Sequence, residues 1–159
     1  MASWGEVAAA VPELAVKVQQ RFDAHGLAFI ATVKRDGSPR ISGIEPLIAG
    51  GEVWVGMMPG SMKARDLLRE PRCALHSATE DKNVKNGDAK MTASAVPVED
   101  EATWRRYIQA SEAGSGMTPG SFHLFRLDIK QISHLIPAGD HLDIEWWSEK
   151  DGYKKIERK

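Results

Sequence analysis

The chain is poor in cysteine, in net charge and in long apolar runs, and each of these shortages argues against a class of protein. One cysteine, Cys73, occurs among 159 residues, so no internal disulfide can form and a reducing cytoplasm is the simplest setting. The 21 basic residues nearly balance the 22 acidic ones, which gives no electrostatic argument for binding nucleic acid or a charged membrane. No apolar run approaches a membrane span, and the N-terminus lacks a secretory signal. These absences lead us to expect one globular, cytoplasmic domain over residues 1–159.

Sequence motifs of several common chemistries are also missing. The five histidines show neither H-E-x-x-H nor Cys/His ligand spacing, so we expect no metal site. There is no G-x-S-x-G motif of a hydrolase. The stretch GGEVWVG (50–56) does not open a helix, so it is not a dinucleotide-binding fingerprint.

Helical patterns lie at the N-terminus and at two later places. Within a helical segment over residues 1–25, apolar residues at four-residue spacing predict a helix over 13–25, with Pro12 at its first position and Gly26 at its cap. A short helix is predicted over 61–70, where Ser61 follows the Pro59-Gly60 turn as an N-cap. A third helix is predicted over 99–113, with acidic residues in its first turn and a loop at 114–120 behind it.

The remaining chain shows the two-residue periodicity of strands. Strands at 27–34, 40–48 and 52–57, joined by glycine-containing turns, predict an antiparallel meander. Further strands are predicted at 73–78, 90–98, 122–129, 131–136 and 141–148, and the tail is expected to add a hairpin arm. No strand–helix–strand alternation occurs. We therefore expect a mainly β fold with flanking helices, in which about seven antiparallel strands form a barrel.

The start of the 61–70 helix carries charges of an unexpected sign. Lys63 and Arg65 stand in its first turn, where the partial positive charge and unpaired N–H groups of a helix favour acids. A phosphate bound there would make both cations favourable, because it accepts backbone hydrogen bonds and is neutralised by basic side chains. The alternative is that both side chains extend into water above a short surface helix.

Three stretches in order resemble the pyridoxamine 5′-phosphate oxidase-like family. They are FIATVKRDGSPRISGIEP (29–46), EVWVGMMPGSMKARDLLREPRCAL (52–75) and IEWW (144–147), and the resemblance spans about residues 20–148. Members of this family are flavin-binding split β-barrels. The resemblance therefore implies a split barrel that works as a homodimer, binds FMN at the dimer groove, and transfers hydride to or from a small molecule.

The resemblance also implies roles for individual residues. The phosphate of FMN would be held by Ser61, Lys63 and Arg65, and by Arg40 at the start of the second strand. The flavin ring would lie along the strand residues Ile41, Ser42 and Gly43. A glycine inside a strand often marks the close approach of a ligand, although a β-bulge at Gly43 beside a solvated Arg40 is the alternative.

Methionines and a tryptophan are weaker candidates for the cofactor site. Met57, Met58 and Met62 cluster around the turn and could pack on a flat ring, although methionines more often fill the core. Trp146 and Trp147 point to opposite faces of their strand. We expect Trp146 in the core and Trp147 on the polar face, as a dimer contact or a ligand wall; the alternative is an isolated exposed tryptophan.

Departures from the family pattern bear on the cofactor. Glu45 and Met62 stand where pyridoxamine phosphate oxidases proper have basic residues, and the C-terminal Arg/His pattern of those enzymes is absent, so this chain is not expected to be the vitamin-B6 enzyme. It looks more like the branch that uses FMN or the deazaflavin coenzyme F-420.

FMN is favoured narrowly over the deazaflavin. A loop flanked by three lysines would suit the acidic tail of the deazaflavin, or is simply solvated; these are Lys82, Lys85 and Lys90. A non-catalytic flavin- or haem-binding protein is the competing function. No side chain is assigned as a general acid or base, and the catalytic residues stay unknown.

Overall fold

The computed structural model describes residues 1–112 and 117–159, and in these ranges strands predominate. The helices are α1 (Trp4–Ala10), α2 (Pro12–Asp23), α3 (Met62–Arg69) and α4 (Glu101–Ala110). The strands are β1 (Ala28–Val33), β2 (Pro39–Ile44), β3 (Leu47–Ala49), β4 (Glu52–Met57), β5 (Arg72–Ser77), β6 (Asp88–Pro97), β7 (His123–Ala138), β8 (His141–Ser148) and β9 (Gly152–Arg158). None of the helices in the described ranges has the length and apolar character to cross a bilayer.

All nine strands join one antiparallel sheet in the order β2-β1-β5-β6-β7-β4-β3, with β8 and β9 added beside β7. The long strand β7 connects these parts. Its first residues pair with β4, from Met57 opposite His123, and its last residues pair with β8, ending with Ala138 opposite His141. Along its other edge β7 pairs with β6. The curved sheet does not close, because β2 and β3 end its path, and the fold is the split β-barrel predicted from the sequence.

The predicted meander is wrong at one point. Residues 40–48 do not form one strand, because β2 ends at Ile44 and β3 begins at Leu47, with Glu45 and Pro46 between them. Proline has no N–H for the ladder and restricts the residue before it, so the chain leaves one strand partner there and takes another. As a result β2 pairs with β1, whereas β4 pairs with β3 and β7.

The strand count also differs from the predicted seven. The two strands predicted at 122–129 and 131–136 are one strand, in which Lys130 is the extra residue of a bulge: Thr92 lies opposite Gln131 and Ala93 opposite Ile129. The expected C-terminal arm is present as β9. The helix predicted over 99–113 spans Glu101–Ala110; residue 113, and residues 114–116 of the predicted loop, lie outside the described residues.

The inner face of the sheet is covered, and the outer face is covered only in part, where α4 packs on Trp54 of β4 and Leu124 of β7. Leu14, Val18 and Phe22 of α2 are buried against the inner face of the strands, as their spacing predicts. On the outer face, the side chain of Phe29 on β1 is 48% exposed and that of Ile41 on β2 is 75% exposed. The main core therefore lies on the inner face, and apolar side chains stay exposed on the outer face of β1 and β2.

A candidate cofactor-binding cleft

A cleft of about 750 Å³ opens at the gap in the barrel, where the end of β2 faces the end of β4. Its walls are mostly apolar and come from seven parts of the chain. They are Leu27, Ala28, Phe29, Gly43, Ile44, Glu45, Gly56, Met57, Met58, Pro59, Lys63, Ala78, Thr79, Tyr107 and Phe122. A concave, largely apolar site with few polar groups is typical of cofactor and small-molecule binding.

The first turn of α3 borders this cleft. Ser61 caps the helix, its Oγ accepting a hydrogen bond from the backbone N–H of Ala64 at 3.3 Å, and no acidic residue stands in the first turn. Lys63 reaches across the gap in the barrel, and its Nζ donates to the carbonyl of Gly43 at 3.3 Å. The predicted phosphate residue and the predicted ring-binding strand are therefore in direct contact. Arg65 is exposed on the same helix and does not line the cleft.

The predicted residues of β2 divide between the two faces of the strand. Arg40 and Ser42 lie opposite the inward-facing Thr32 and Ile30, so they face the barrel interior. Ile41 and Gly43 share the outer face, and Gly43 lines the cleft. A flavin ring lying along this strand would contact the strand edge and one of these two faces. It would therefore not contact Ile41, Ser42 and Gly43 equally.

Arg40 belongs to a buried ion-pair network that the sequence analysis missed. Its Nε donates to Oδ2 of Asp66 at 2.7 Å, Thr32 Oγ1 donates to the same oxygen at 2.8 Å, and Arg69 Nη2 donates to Oδ1 at 3.2 Å. Burial by itself would raise the pKa of Asp66, but the hydrogen bonds from Arg40, Thr32 and Arg69 outweigh it and lower that pKa. Asp66 thus stays ionised and ties α3 to β1 and β2, with Arg40 held beside the helix that starts at the cleft.

The three methionines do not share one environment. Met57 lines the cleft, but only 3% of its surface is exposed. It is therefore also a core residue, which is the alternative given for the methionines in the sequence analysis. Met58 also lines the cleft and is 79% exposed. Met62 is exposed at the start of α3 and does not line the cleft. Of the three, Met58 is therefore the one that both lines the cleft and has free surface to offer a ligand.

Two aromatic residues on the far wall of the cleft were not predicted. Tyr107 on α4 and Phe122 before β7 pack edge to face, with ring centroids 6.1 Å apart and an interplanar angle of 72°. Phe122 also lies so close to Gly56 that a Cβ there would be 3.0 Å from its ring, so a larger residue at position 56 would push the ring by a few tenths of an ångström. Burial raises the pKa of the Tyr107 hydroxyl, which therefore stays protonated and can donate a hydrogen bond. These residues come from distant parts of the chain, and no local pattern marks them.

The predicted orientation of the tryptophan strand is wrong. Trp147 lies opposite Ile132 and packs against the hydrophobic core, whereas Trp146 lies opposite Ser133 on the other face. The polar neighbours misled the prediction, because Glu145 on the Trp147 face is itself buried and accepts from Lys17 Nζ at 2.6 Å. Trp147 does not line the cleft, and its part in cofactor binding stays a prediction.

Among the residues that the structure describes, one cluster of possible metal ligands forms away from the cleft. The ligand atoms of His141, Asp143 and Glu157, on the β8–β9 hairpin, lie within 4.8 Å of one another. Hydrogen bonding to Asp140 and the nearby carboxylates raise the pKa of His141, which favours the protonated ring that cannot bind a metal. Lys155 Nζ, 3.9 Å from Asp143, already supplies a cation. The arrangement is that of an ion-pair cluster on a surface hairpin.

Comparisons with known proteins agree with the fold. The family described as "Pyridoxamine 5'-phosphate oxidase" matches residues 14–136. The structure of PhzG from Burkholderia lata 383, in complex with tetrahydrophenazine-1-carboxylic acid, aligns with a TM-score of 0.65 and 13% identity, over 92% of this chain and 93% of that one.

A second solved structure, a pyridoxamine 5'-phosphate oxidase-related, FMN binding protein from Nostoc punctiforme PCC 73102, aligns with a TM-score of 0.59 and 15% identity, over 100% of this chain and 98% of that one. No curated protein matches the sequence. At these identities the structural likeness shows a shared fold.

Proposed function

Because the chain belongs to the pyridoxamine 5′-phosphate oxidase family, we propose that it is a flavin-dependent oxidoreductase that binds FMN in the cleft and acts as a homodimer. FMN supplies the hydride chemistry, and the protein binds and orients it against a small-molecule substrate. The departures at Glu45 and Met62 set the chain apart from the vitamin-B6 oxidase itself. The observation that carries the proposal is the contact between Lys63 and Gly43 across the gap in the barrel.

The phosphate end of FMN is assigned to the start of α3. The backbone N–H groups of the first turn, the helix dipole and the Lys63 ammonium all favour an anion there, and no acidic side chain of that turn opposes it. Ser61 Oγ keeps its hydroxyl hydrogen free to donate while it caps the helix. Arg65 lies on the same helix, and Arg40 is held close to it by Asp66.

The flat ring of FMN is assigned to the apolar part of the cleft. Gly43 removes a side chain from one wall, so a planar ligand can approach the backbone of β2 closely. Met58 offers an exposed, polarisable side chain on the opposite wall, and Phe122 and Tyr107 close the far side. One subunit leaves this cleft open to solvent, which is why a second copy of the chain is part of the proposal.

The outer face of the sheet is the surface we assign to the homodimer. Cross-strand partners share a face, and one such row runs across five strands through Phe29, His76, Lys90, Ser133 and Trp146. The row begins at the cleft, since Phe29 lines it. An interface on this face would bury the exposed apolar side chains and bring a partner subunit to the mouth of the cleft.

The deazaflavin coenzyme F-420 is a second candidate ligand, favoured by one observation. Ala78 and Thr79 line the cleft, and the turn that follows them carries the exposed Lys82 and Lys85. A long acidic tail leaving the cleft beside Thr79 would pass these cations. Titrating the purified protein with both cofactors decides between them, and the absorption spectrum of the protein as isolated separates flavin, deazaflavin and haem.

The phosphate assignment is tested by replacing Lys63. In a fluorescence titration with FMN, Lys63→Ala should weaken binding by about 10- to 100-fold, because a hydrogen bond to a charged group contributes about 1.5–3 kcal/mol. Lys150→Ala is the matched control, since Lys150 is exposed and outside the cleft. Equal affinity of the wild type and Lys63→Ala would reject the phosphate site. Turnover of the loaded protein with a reduced nicotinamide and an acceptor then tests whether it is an enzyme.

The dimer is tested by light scattering at micromolar concentration. We expect the wild type to be a dimer and Trp146→Ala to shift it toward monomer, because loss of a buried interface tryptophan commonly costs about 2 kcal/mol or more. Trp147→Ala should instead lower the stability of each subunit, since that ring packs against the core. A monomeric wild type would refute the homodimer, and a weakened dimer in Trp147→Ala alone would return the interface role to Trp147.

A further inference from the structure

Charge is scarce in the cleft. Of the described residues that line it, Lys63 is the single base and Glu45 the single acid, and the rest are apolar or uncharged. FMN bound as proposed would match Lys63 with its phosphate. The carboxylate of Glu45 would then be the one protein charge left facing whatever else enters the cleft.

Glu45 is well placed to act on a second ligand. It lies between β2 and β3, at the gap in the barrel, where buried Ile44 precedes it and Pro46 limits its backbone freedom. Its side chain is exposed and makes no ion pair or hydrogen bond with any described residue. The backbone therefore fixes where the charge is, while the carboxylate keeps its full capacity to accept hydrogen bonds.

We propose that the hydride-exchanging substrate of this cleft is an aromatic compound carrying a positive charge, and that Glu45 selects it over anionic compounds. This inference rests on the proposed function for the identity of the first ligand. Aromatic and methionine walls suit a planar, apolar body, and an unpaired carboxylate at the edge of a cleft with apolar walls attracts a cation and repels an anion. The inference sets this chain apart from enzymes whose substrates are phosphorylated.

The specificity is tested with three probes of one size and different charge: benzylamine, benzyl alcohol and benzoate. Their dissociation constants are measured by equilibrium dialysis on protein loaded with FMN. We expect the wild type to bind benzylamine at least about tenfold more tightly than benzoate. Glu45→Gln should bring this ratio close to one, Glu45→Lys should reverse it, and the exposed control Glu99→Gln should leave it unchanged. Binding of neutral benzyl alcohol should be the same in all variants, which shows that the cleft is intact.

The outcomes separate this inference from the proposed function. If FMN does not bind in the preceding titration, the proposed function fails, and the change of the probe ratio between the wild type and Glu45→Gln is read on the unloaded protein instead. The inference itself is overturned if the wild type binds benzoate as tightly as benzylamine, if Glu45→Gln keeps the wild-type ratio, or if benzyl alcohol does not bind at all.

Discussion

Replacing Asp66 tests whether one buried carboxylate joins α3 to the barrel. Asp66→Asn keeps the shape of the side chain and removes its charge, so Arg40 and Arg69 lose their anionic partner while Thr32 keeps a possible acceptor. The side chain of Asp66 is only 3% exposed, and water cannot replace it without a rearrangement. We therefore expect a clear loss of stability and a displacement of Arg40.

The magnitude follows from the exposure of the partners. Removing one member of a fully buried ion pair costs about 3–5 kcal/mol, because the other charge stays unpaired in the interior. Here the side chains of Arg40 and Arg69 are 24% and 33% exposed, so water partly resolvates them. We expect a loss of about 2–3 kcal/mol in the free energy of unfolding, or roughly 4–12 °C in Tm for a chain of this length.

The pH dependence has a definite sign. The pKa of Asp66 is lowered in the folded protein, so the ionised carboxylate favours folding. This contribution is fully present above the unfolded-state pKa of about 3.9 and is lost as the pH falls through the lower folded-state value. The difference in stability between the wild type and Asp66→Asn should therefore be constant near neutrality and shrink below about pH 4.

Urea unfolding, followed by tryptophan fluorescence, measures both effects. Asp23→Asn is the matched control, because Asp23 is exposed at the end of α2 and makes no ion pair with the described residues. A variant with wild-type stability at pH 7, or a difference that grows on acidification, would refute the role given to Asp66. If the fold holds, FMN affinity of Asp66→Asn then reports whether Arg40 needs this carboxylate.

Two further changes probe the packing around β7 and β8. Gly87→Ala should destabilise the fold by about 2–4 kcal/mol in thermal unfolding, because Gly87 has a φ of +83° and its new Cβ would lie 2.7 Å from Nε2 of the buried His134. Gly139→Ala is the control: Gly139 has a φ of +66° with open space around it, so the change should cost only about 1 kcal/mol. Equal losses in the two variants would contradict the packing argument. Glu145→Gln should lower the pKa of Tyr153 from about 12 toward 10, since its hydrogen bond to Glu145 raises that pKa, and an unchanged ultraviolet titration of Tyr153 would refute this contact.

Local patterns predicted most elements of the fold. The strands β4 and β8 have the predicted bounds, and α3 begins behind its predicted N-cap, Ser61, because turns, caps and alternation depend on neighbouring residues. The partners of the strands could not be predicted in the same way. Residues 40–48 were predicted as one strand, and only Pro46 indicated that the chain leaves β1 for β4 at that point.

Local patterns likewise predicted only some residues of the candidate site. Lys63 could be singled out because its charge conflicts with the helix end that it occupies. Tyr107 and Phe122 could not, because they reach the cleft from α4 and from the residues before β7. Asp66 left a weak signal: it stands between the buried Ala64 and Leu67 of α3, where a charge needs partners. Those partners are far away in sequence, so only the folded chain reveals them.

The two adjacent tryptophans show why polarity alone misassigns a face. Alternation required Trp146 and Trp147 to point in opposite directions, but it did not say which one faces the core. The acidic side chains on the Trp147 face suggested solvent. In the folded protein Glu145 is paired with Lys17 of α2 and with Tyr153 of β9, and that pairing makes its burial possible. The face that looks more polar is thus the covered one, and Trp146 is the indole that the partner subunit of the proposed homodimer would bury.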